Sequence, residues 1–264
     1  MSKGMLTFIG LGLFDEKDIS LKGLEEILAS DFVFAEFYTA KLTGTNIKKI
    51  EKTIGKKIEI LTRAETEKAD KIINLSKEKS VIFLTCGDPM TATTHVDLRL
   101  RAIKEKIKTK VIHGSSIATA VPGLLGLQNY KFGRTTTIAY PEKSYFPTSP
   151  YNVIKENKER NLHTFILLDI QADNNRYMTA NEGIKLLLEM EEKQKEKIIT
   201  NNTLICVVAR AGSDNSISVA GKVKDLKNKD FGPPLHTLVV PGKLHFMEIE
   251  ALQLLAQLPA DIPA

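Results

Sequence analysis

Between Leu6 and His113, short apolar runs alternate with charge-rich amphipathic segments. This alternation restricts the fold more than any other feature of the chain. Strands that alternate with helices pair in parallel and need cover on both faces. The expected strands are Leu6 to Gly10, Phe32 to Tyr38, Lys57 to Leu61, Val81 to Cys86 and Lys110 to His113. The expected helices are one capped by Ser20, with Leu21, Leu24, Ile27 and Leu28 on one face, and others over Asn46 to Thr53, Glu65 to Lys77 and Thr94 to Lys106. The run Val81 to Cys86 stops abruptly at Gly87-Asp88-Pro89. Gly87 lets a ligand approach the backbone, and Pro89 fixes its own φ while biasing Asp88 towards an extended conformation. Ligands of open α/β sheets bind beyond the carboxyl ends of such strands, so this turn is a candidate site wall.

The second half has another rhythm. Ser115 to Leu127 is small and apolar, with Pro122 and Gly123 breaking it. Thr135 to Tyr140 reads as a strand, Pro141 to Pro150 as a loop, Tyr151 to Glu159 as a helix and His163 to Ile170 as a buried strand. Thr179-Ala-Asn-Glu182 is a capping box that opens a helix to about Lys197. Strands at 203–209, 216–223 and 236–240 follow with hairpin-like spacing, and a helix from about Leu244 to Leu258 comes last. The fold class expected is α/β with two domains, 1–114 and 115–264: a mainly parallel sheet in the first and a mixed sheet in the second.

A length of 264 residues suits two modest domains, and 42% hydrophobic with 26% charged residues is the balance of a soluble globular protein. No apolar run spans a bilayer. Met1 to Phe14 lacks a signal-peptide pattern, so a cytoplasmic location is expected. Cys86 and Cys206 each lie in an apolar run and read as buried reduced thiols, and no Cys/His spacing suggests a metal site. The net charge of +5 is spread as Lys over several helices. That suits solvated helix faces or attraction to an acidic macromolecule, without choosing between protein and nucleic acid.

Five strand-end loops carry the chemistry. Gly10-Leu11-Gly12-Leu13-Phe14-Asp15 begins like a dinucleotide fingerprint but has Asp15 where the third glycine belongs, and the helix starts late. A pyrophosphate would lack its helix N-terminus there. Gly87-Asp88-Pro89-Met90-Thr91 offers Asp88 to ligand hydroxyl or amine groups, or as an Asx-turn. His113-Gly114-Ser115-Ser116-Ile117, Ala209-Arg210-Ala211-Gly212-Ser213 and Gly232-Pro233-Pro234-Leu235-His236 complete the set. There is no P-loop, no GxSxG elbow and no carboxylate pair whose spacing demands acid/base work.

Together these loops resemble the tetrapyrrole-methylase-fold methyltransferases. MLTFIGLGLFDEKDIS, FAEFYT, GDPMTATTH, YKFG, FPTSPYNVIKEN, LLDI, YMTANE, ARAGS and VPGKLHFMEIE are similar to the diphthine synthase family in particular, over Met5 to about Leu255. Residues 1–4 precede that family's usual start. The resemblance implies two α/β domains with S-adenosyl-L-methionine in the cleft between them, a homodimer, and methylation of translation elongation factor 2. The acceptor would be the amino group of a 3-amino-3-carboxypropyl-modified histidine, trimethylated in diphthamide biosynthesis. Carried over by motif, the cofactor contacts are Leu13, Asp88, Thr91, Ser116, Ile117, Leu168, Ala211 and His236. At Thr91 the family carries an aliphatic residue, which points to a backbone contact. The alternatives are a same-fold methyltransferase acting on a tetrapyrrole and a non-catalytic cofactor-sensing module.

Methyl transfer from a sulfonium to a neutral amine needs orientation and exclusion of water more than a dedicated base. No catalytic base is nominated. A quaternary ammonium product favours aromatic faces, for which Phe37, Tyr38, Tyr140, Tyr145 and Phe146 are candidates. The substrate carboxylate calls for a basic partner among Arg134, Arg176 and Arg210. RNA-binding aromatic motifs and basic tails are missing, so a protein partner is expected and a direct nucleic-acid or membrane partner is not.

Overall fold

The computed structural model describes residues 4–142 and 145–260, apart from the side chain of residue 173. Most of the N-terminal extension and two residues of the proline-rich loop lie outside the described residues. The chain divides into two compact units, Met1–Ile117 with Gln171–Asn175, and Ala118–Ile170 with Arg176–Ala264. The sequence sets the boundary at 114; the structure divides the chain after Ile117, the first residue of a helix.

The first unit holds strands β1 (Met5–Gly10), β2 (Phe32–Glu36), β3 (Glu59–Ile60), β4 (Ser80–Thr85) and β5 (Lys108–Ile112). All pair in parallel in the order β3-β2-β4-β1-β5, as the alternation predicts. Helices α1 (Leu21–Ala29) and α2 (Ile47–Ile54) cover one face through Ile9, Ile27, Val33, Ile50 and Ile54. On the other face, α3 (Arg63–Lys68), α4 (Asp70–Ser76) and α5 (His95–Lys104) pack with Phe8, Phe34, Ile72, Phe83 and Leu98. The chain therefore leaves β1 towards one face and its neighbour β4 towards the other. Their carboxyl ends form the topological switch point, where open α/β sheets bind ligands.

Two helix expectations are corrected. The segment 65–77 is two helices, because Ala69 adopts a left-handed φ of 55° and caps α3. Thr66, Ala69, Ile72 and Ser76 all stay buried across the break, so the periodicity mimics one continuous helix. On α1, Leu21 and Leu28 point outward at 80% and 52% exposure, while Gly23 and Ile27 face the sheet. Gly23 makes that approach possible: a Cβ there would stand 3.0 Å from Ile9 Cγ2.

The second unit opens with α6 (Ile117–Leu125) and β6 (Thr136–Ile138), then α7 (Ser149–Glu159), β7 (Thr164–Leu168), β8 (Ile170–Gln171) and β9 (Arg176–Tyr177). After them come α8 (Ala180–Gln194), β10 (Leu204–Ala209), β11 (Ile217–Lys222), α9 (Val223–Leu226), β12 (His236–Val240) and α10 (Phe246–Ala256). The sheet order is β11-β10-β12-β7-β6, antiparallel except for the parallel pair β6/β7, which is the expected mixed sheet. Pro122 does not break its segment; it sits inside α6, and left-handed Gly126 follows the helix's last residue instead. The capping box stands as predicted: Glu182 N–H donates to Thr179 Oγ1 (3.2 Å) and Thr179 N–H to Glu182 Oε2 (2.8 Å). Ile138, Tyr151, Ile166, Leu187, Val207 and Leu238 centre its core. Both cysteines are free and buried, and burial pushes both thiols up. No helix among the described residues is long and apolar enough to cross a membrane.

Candidate functional site

At the switch point of the first unit, β1 ends in Gly10, and Gly87 and Gly114 lie two residues beyond the ends of its neighbours β4 and β5. A Cβ on Gly10 would lie 2.4 Å from Gly87 O and 2.6 Å from Gly114 N, and one on Gly114 would lie 2.5 Å from Gly87 O. Only bare backbone packs this closely. The Gly10 and Gly87 turns also bond to each other, with Gly87 N–H donating to Gly12 O (2.7 Å). The three turns thus pack backbone against backbone, and of the three glycines only Gly87 turns its Cβ position to open space.

The Gly10–Asp15 turn is already filled by a carboxylate. Asp18 Oδ2 accepts from the N–H of Leu13 (3.0 Å), Phe14 (2.7 Å) and Asp15 (3.4 Å). Successive N–H groups in such a turn are an anion nest. Here a side chain of the chain itself occupies it, and α1 begins only at Leu21. A dinucleotide pyrophosphate thus meets an occupied nest and a second negative charge. Asp18 is a residue that sequence reasoning missed; the signal was an acidic residue placed to cap the abnormal fingerprint.

Asp88, 7% exposed, is held from both sides. Its Oδ1 accepts from Met90 N–H (2.9 Å) and the Thr91 hydroxyl (3.3 Å), so the Asx-turn is present. Its Oδ2 lies 2.7 Å from Nδ1 of the exposed His113. The Thr91 side chain thus buttresses Asp88. Leu13 and Ile117 are half-buried beside this edge in sequence, and Ser116 is buried at the start of α6.

Beneath the loop lies a second pair that the sequence left unassigned. Glu36 ends β2 and Thr85 ends β4. Glu36 Oε2 accepts from the N–H of Tyr38 and of Thr39 (3.1 Å each), and Oε1 accepts from the Thr39 hydroxyl. His95 Nδ1 faces Pro89 O (3.2 Å) and Thr85 Oγ1 (3.4 Å), and its Nε2 stands 3.5 Å from Glu36 Oε1. Glu36 thus braces the loop after β2 and His95 the loop after β4, with the two side chains facing each other. Burial pushes the His95 pKa below its ordinary value, against the pull of Glu36.

In the second unit, Leu168 ends β7, Ala211 follows β10 and His236 opens β12; all are buried. Because β12 runs antiparallel to β7 and β10 runs antiparallel to β12, the end of β10 meets the start of β12. His236 is fully engaged: Nδ1 accepts from Ala180 N–H (3.0 Å), and Nε2 faces Pro233 O (3.0 Å). That fixes the Nε2–H tautomer and leaves neither nitrogen as a base, while burial depresses its pKa. Any ligand contact from His236 is through its backbone or ring face.

Three of the aromatic candidates already carry a protein cation: Arg63 over Tyr38 (5.2 Å), Arg176 over Tyr140 (3.3 Å) and Lys193 over Phe146 (4.6 Å). Phe37 packs on the core, and Tyr145 is exposed. Arg210 is likewise engaged, donating to Phe231 O (2.6 Å), Pro233 O (2.8 Å) and Asn215 O (3.1 Å).

Comparison with known proteins places this geometry. The family profile of the Tetrapyrrole (Corrin/Porphyrin) Methylases matches residues 5–227. The chain is 55% identical over 256 residues to a diphthine synthase of Methanocaldococcus jannaschii, covering 96% of this chain and 99% of the relative. It is 52% identical over 254 residues to the diphthine synthase of Methanococcus aeolicus, covering 96% and 98%. A crystal structure of diphthine synthase superposes with a TM-score of 0.88 at 40% identity, covering 98% of each chain.

Proposed function

The chain belongs to the tetrapyrrole (corrin/porphyrin) methylase family, and within it to the diphthine synthases, and from that premise we propose an S-adenosylmethionine-dependent N-methyltransferase. Its acceptor is the amino group of the 3-amino-3-carboxypropyl histidine of translation elongation factor 2, and its setting is the cytoplasm, as a homodimer.

The observation that carries this reading is the filled nest at the switch point. Asp18 occupies the amides that a phosphate would need, and Asp88 adds a buried carboxylate at the same edge. Such an edge repels a pyrophosphate cofactor and suits a phosphate-free cation. S-adenosylmethionine, when bound, supplies an activated methyl group on a sulfonium. In the first unit the open face of Gly87 would receive it, Asp88 would accept from its hydroxyl or ammonium groups, and Leu13 and Ile117 would offer apolar contact. Asp88 is held still by Met90 N–H, Thr91 and His113, so that little reorganisation remains at the moment of binding. The net charge of +5 supports an acidic protein partner. On α5, Val96, Leu100 and Ile103 are exposed at helical spacing, an apolar stripe that supports self-association.

The test is incubation with methyl-labelled S-adenosylmethionine and elongation factor 2 carrying the aminocarboxypropyl histidine. Label on the factor is expected. Label only on an added tetrapyrrole, or tight cofactor binding without transfer to any acceptor, would sink the reading.

A further inference from the structure

We propose that Arg176, stacked on Tyr140, binds the carboxylate of the methyl acceptor, so that this pair selects amines that carry a neighbouring carboxylate. The inference rests on the acceptor class proposed above and assigns a residue to its recognition.

The three arginines that sequence leaves equal are separated by the structure. Arg210 holds the loop before β12 to the loop after β10 through carbonyl oxygens, and turning it to a ligand would dismantle both turns. Arg134 precedes β6, which runs parallel to β7. It thus lies at the entry end of these strands, opposite Leu168, and its guanidinium faces Glu156 at 3.9 Å. Arg176 lies at the exit end. Two residues beyond it, Met178 N–H donates to the carbonyl of Asp169, the residue after Leu168 (3.0 Å).

The guanidinium of Arg176 lies 3.3 Å from the centre of the Tyr140 ring. Tyr140 is itself fixed: its N–H donates to Asp169 Oδ2 (3.0 Å) and its hydroxyl lies 3.4 Å from both oxygens of Glu182. Stacking orients a guanidinium while leaving its N–H edge open, the geometry a carboxylate meets in bidentate fashion. Among the described residues no carboxylate stands within ion-pair distance of Arg176, whose guanidinium meets the ring and hydroxyl of Tyr140. A lysine would carry the charge there but not the fork.

The experiment uses the full chain and two acceptors. One is elongation factor 2 with the 3-amino-3-carboxypropyl histidine; the other is the same factor with that carboxylate converted to the primary amide. Hydrogen bonds to charged groups predict that the wild type prefers the carboxylate by roughly 10- to 100-fold in kcat/KM. Arg176→Gln is expected to erase the preference, chiefly through KM, with cofactor affinity in calorimetry unchanged. Arg176→Lys and Tyr140→Leu should each retain part of it, and Tyr140→Phe nearly all. A carboxylate preference that survives Arg176→Gln overturns the assignment alone, as does a matching loss of cofactor affinity. A wild-type chain that labels neither acceptor overturns the proposed function, and the assignment with it.

Discussion

Each unit buries a histidine against a glutamate, and the two pairs are built to different standards. In the second unit, Gly242 N–H donates to His163 Nδ1 (3.0 Å), so Nε2 carries the proton and donates to Glu248 Oε1 (2.9 Å). Glu248 also accepts from Gln128 N–H (2.9 Å), His245 N–H (2.8 Å) and the Lys131 ammonium. In the first unit, His95 Nδ1 donates towards Pro89 O, which leaves Nε2 as an acceptor facing another acceptor, Glu36 Oε1, with no hydrogen bond made. The complete pair sits at the entry end of β7, the end opposite Leu168. The incomplete pair sits under the Gly87–Asp88 loop. A polar cluster that is fully satisfied rigidifies, whereas a partly satisfied one is costly where it is buried. Sub-optimal packing of polar groups beneath a candidate site is where natural proteins depart from local consistency.

The largest effect that sharpens this contrast is expected at Glu248. Glu248→Ala strands a buried imidazole, an ammonium and two backbone N–H groups, so denaturant unfolding should show a loss of roughly 3–5 kcal/mol. A loss no greater than that of Glu36→Ala would break the comparison. Next is the acid limb. Burial alone would raise the Glu248 pKa, but the His245 and Gln128 N–H groups, Lys131 and His163 hold it down to about 2. A depressed carboxyl stabilises above its unfolded pKa of 4.5, and that contribution disappears as pH falls towards 2. The shift corresponds to roughly 3 kcal/mol. Glu248→Gln should flatten the stability–pH curve in that window, and an unchanged slope would exclude Glu248 as its source.

Third, Asp88→Ala should weaken S-adenosylmethionine binding by about 10- to 100-fold in calorimetry, the worth of a charged hydrogen bond, while the melting temperature moves little. Unchanged affinity would return Asp88 to a turn-forming role. The smallest change in stability is expected for His95→Gln, at about 1 kcal/mol or less, because one of its nitrogens has nothing to lose. Its signature is the pH profile. A histidine whose pKa is lowered by burial gives stability that is complete above about 6.5 and declines as pH falls below it. His163 and His236 share that sign, so His95→Gln should remove only part of the slope, and His163→Gln and His236→Gln should each remove a further part. If His95→Gln leaves both the slope and cofactor affinity intact, the pair under the loop does not position it.

Much of this architecture was legible before any coordinates. The alternation over Leu6–His113 prescribes a parallel sheet, and hairpin spacing prescribes the mixed one, because burial periodicity is local. The capping box at Thr179 and the late start of α1 were equally visible. The break at Ala69 was not, since the inward positions keep helical spacing through it, and neither was Pro122 within α6, since a proline's tolerance depends on which carbonyl it faces.

The sequence alone determined the two α/β units, the glycine turns after the strands, the misfit to a dinucleotide and, through ordered motifs, the family. Tertiary structure decided what spacing cannot encode: that Asp18 fills the amide nest, that His236 has no nitrogen to spare, and that Arg210 binds carbonyl oxygens and Arg134 faces Glu156 while Arg176 stacks on Tyr140. The physical reason is the same in each case. Residue type sets which groups can donate, accept or carry charge, but only the packed chain determines which of those groups already have partners.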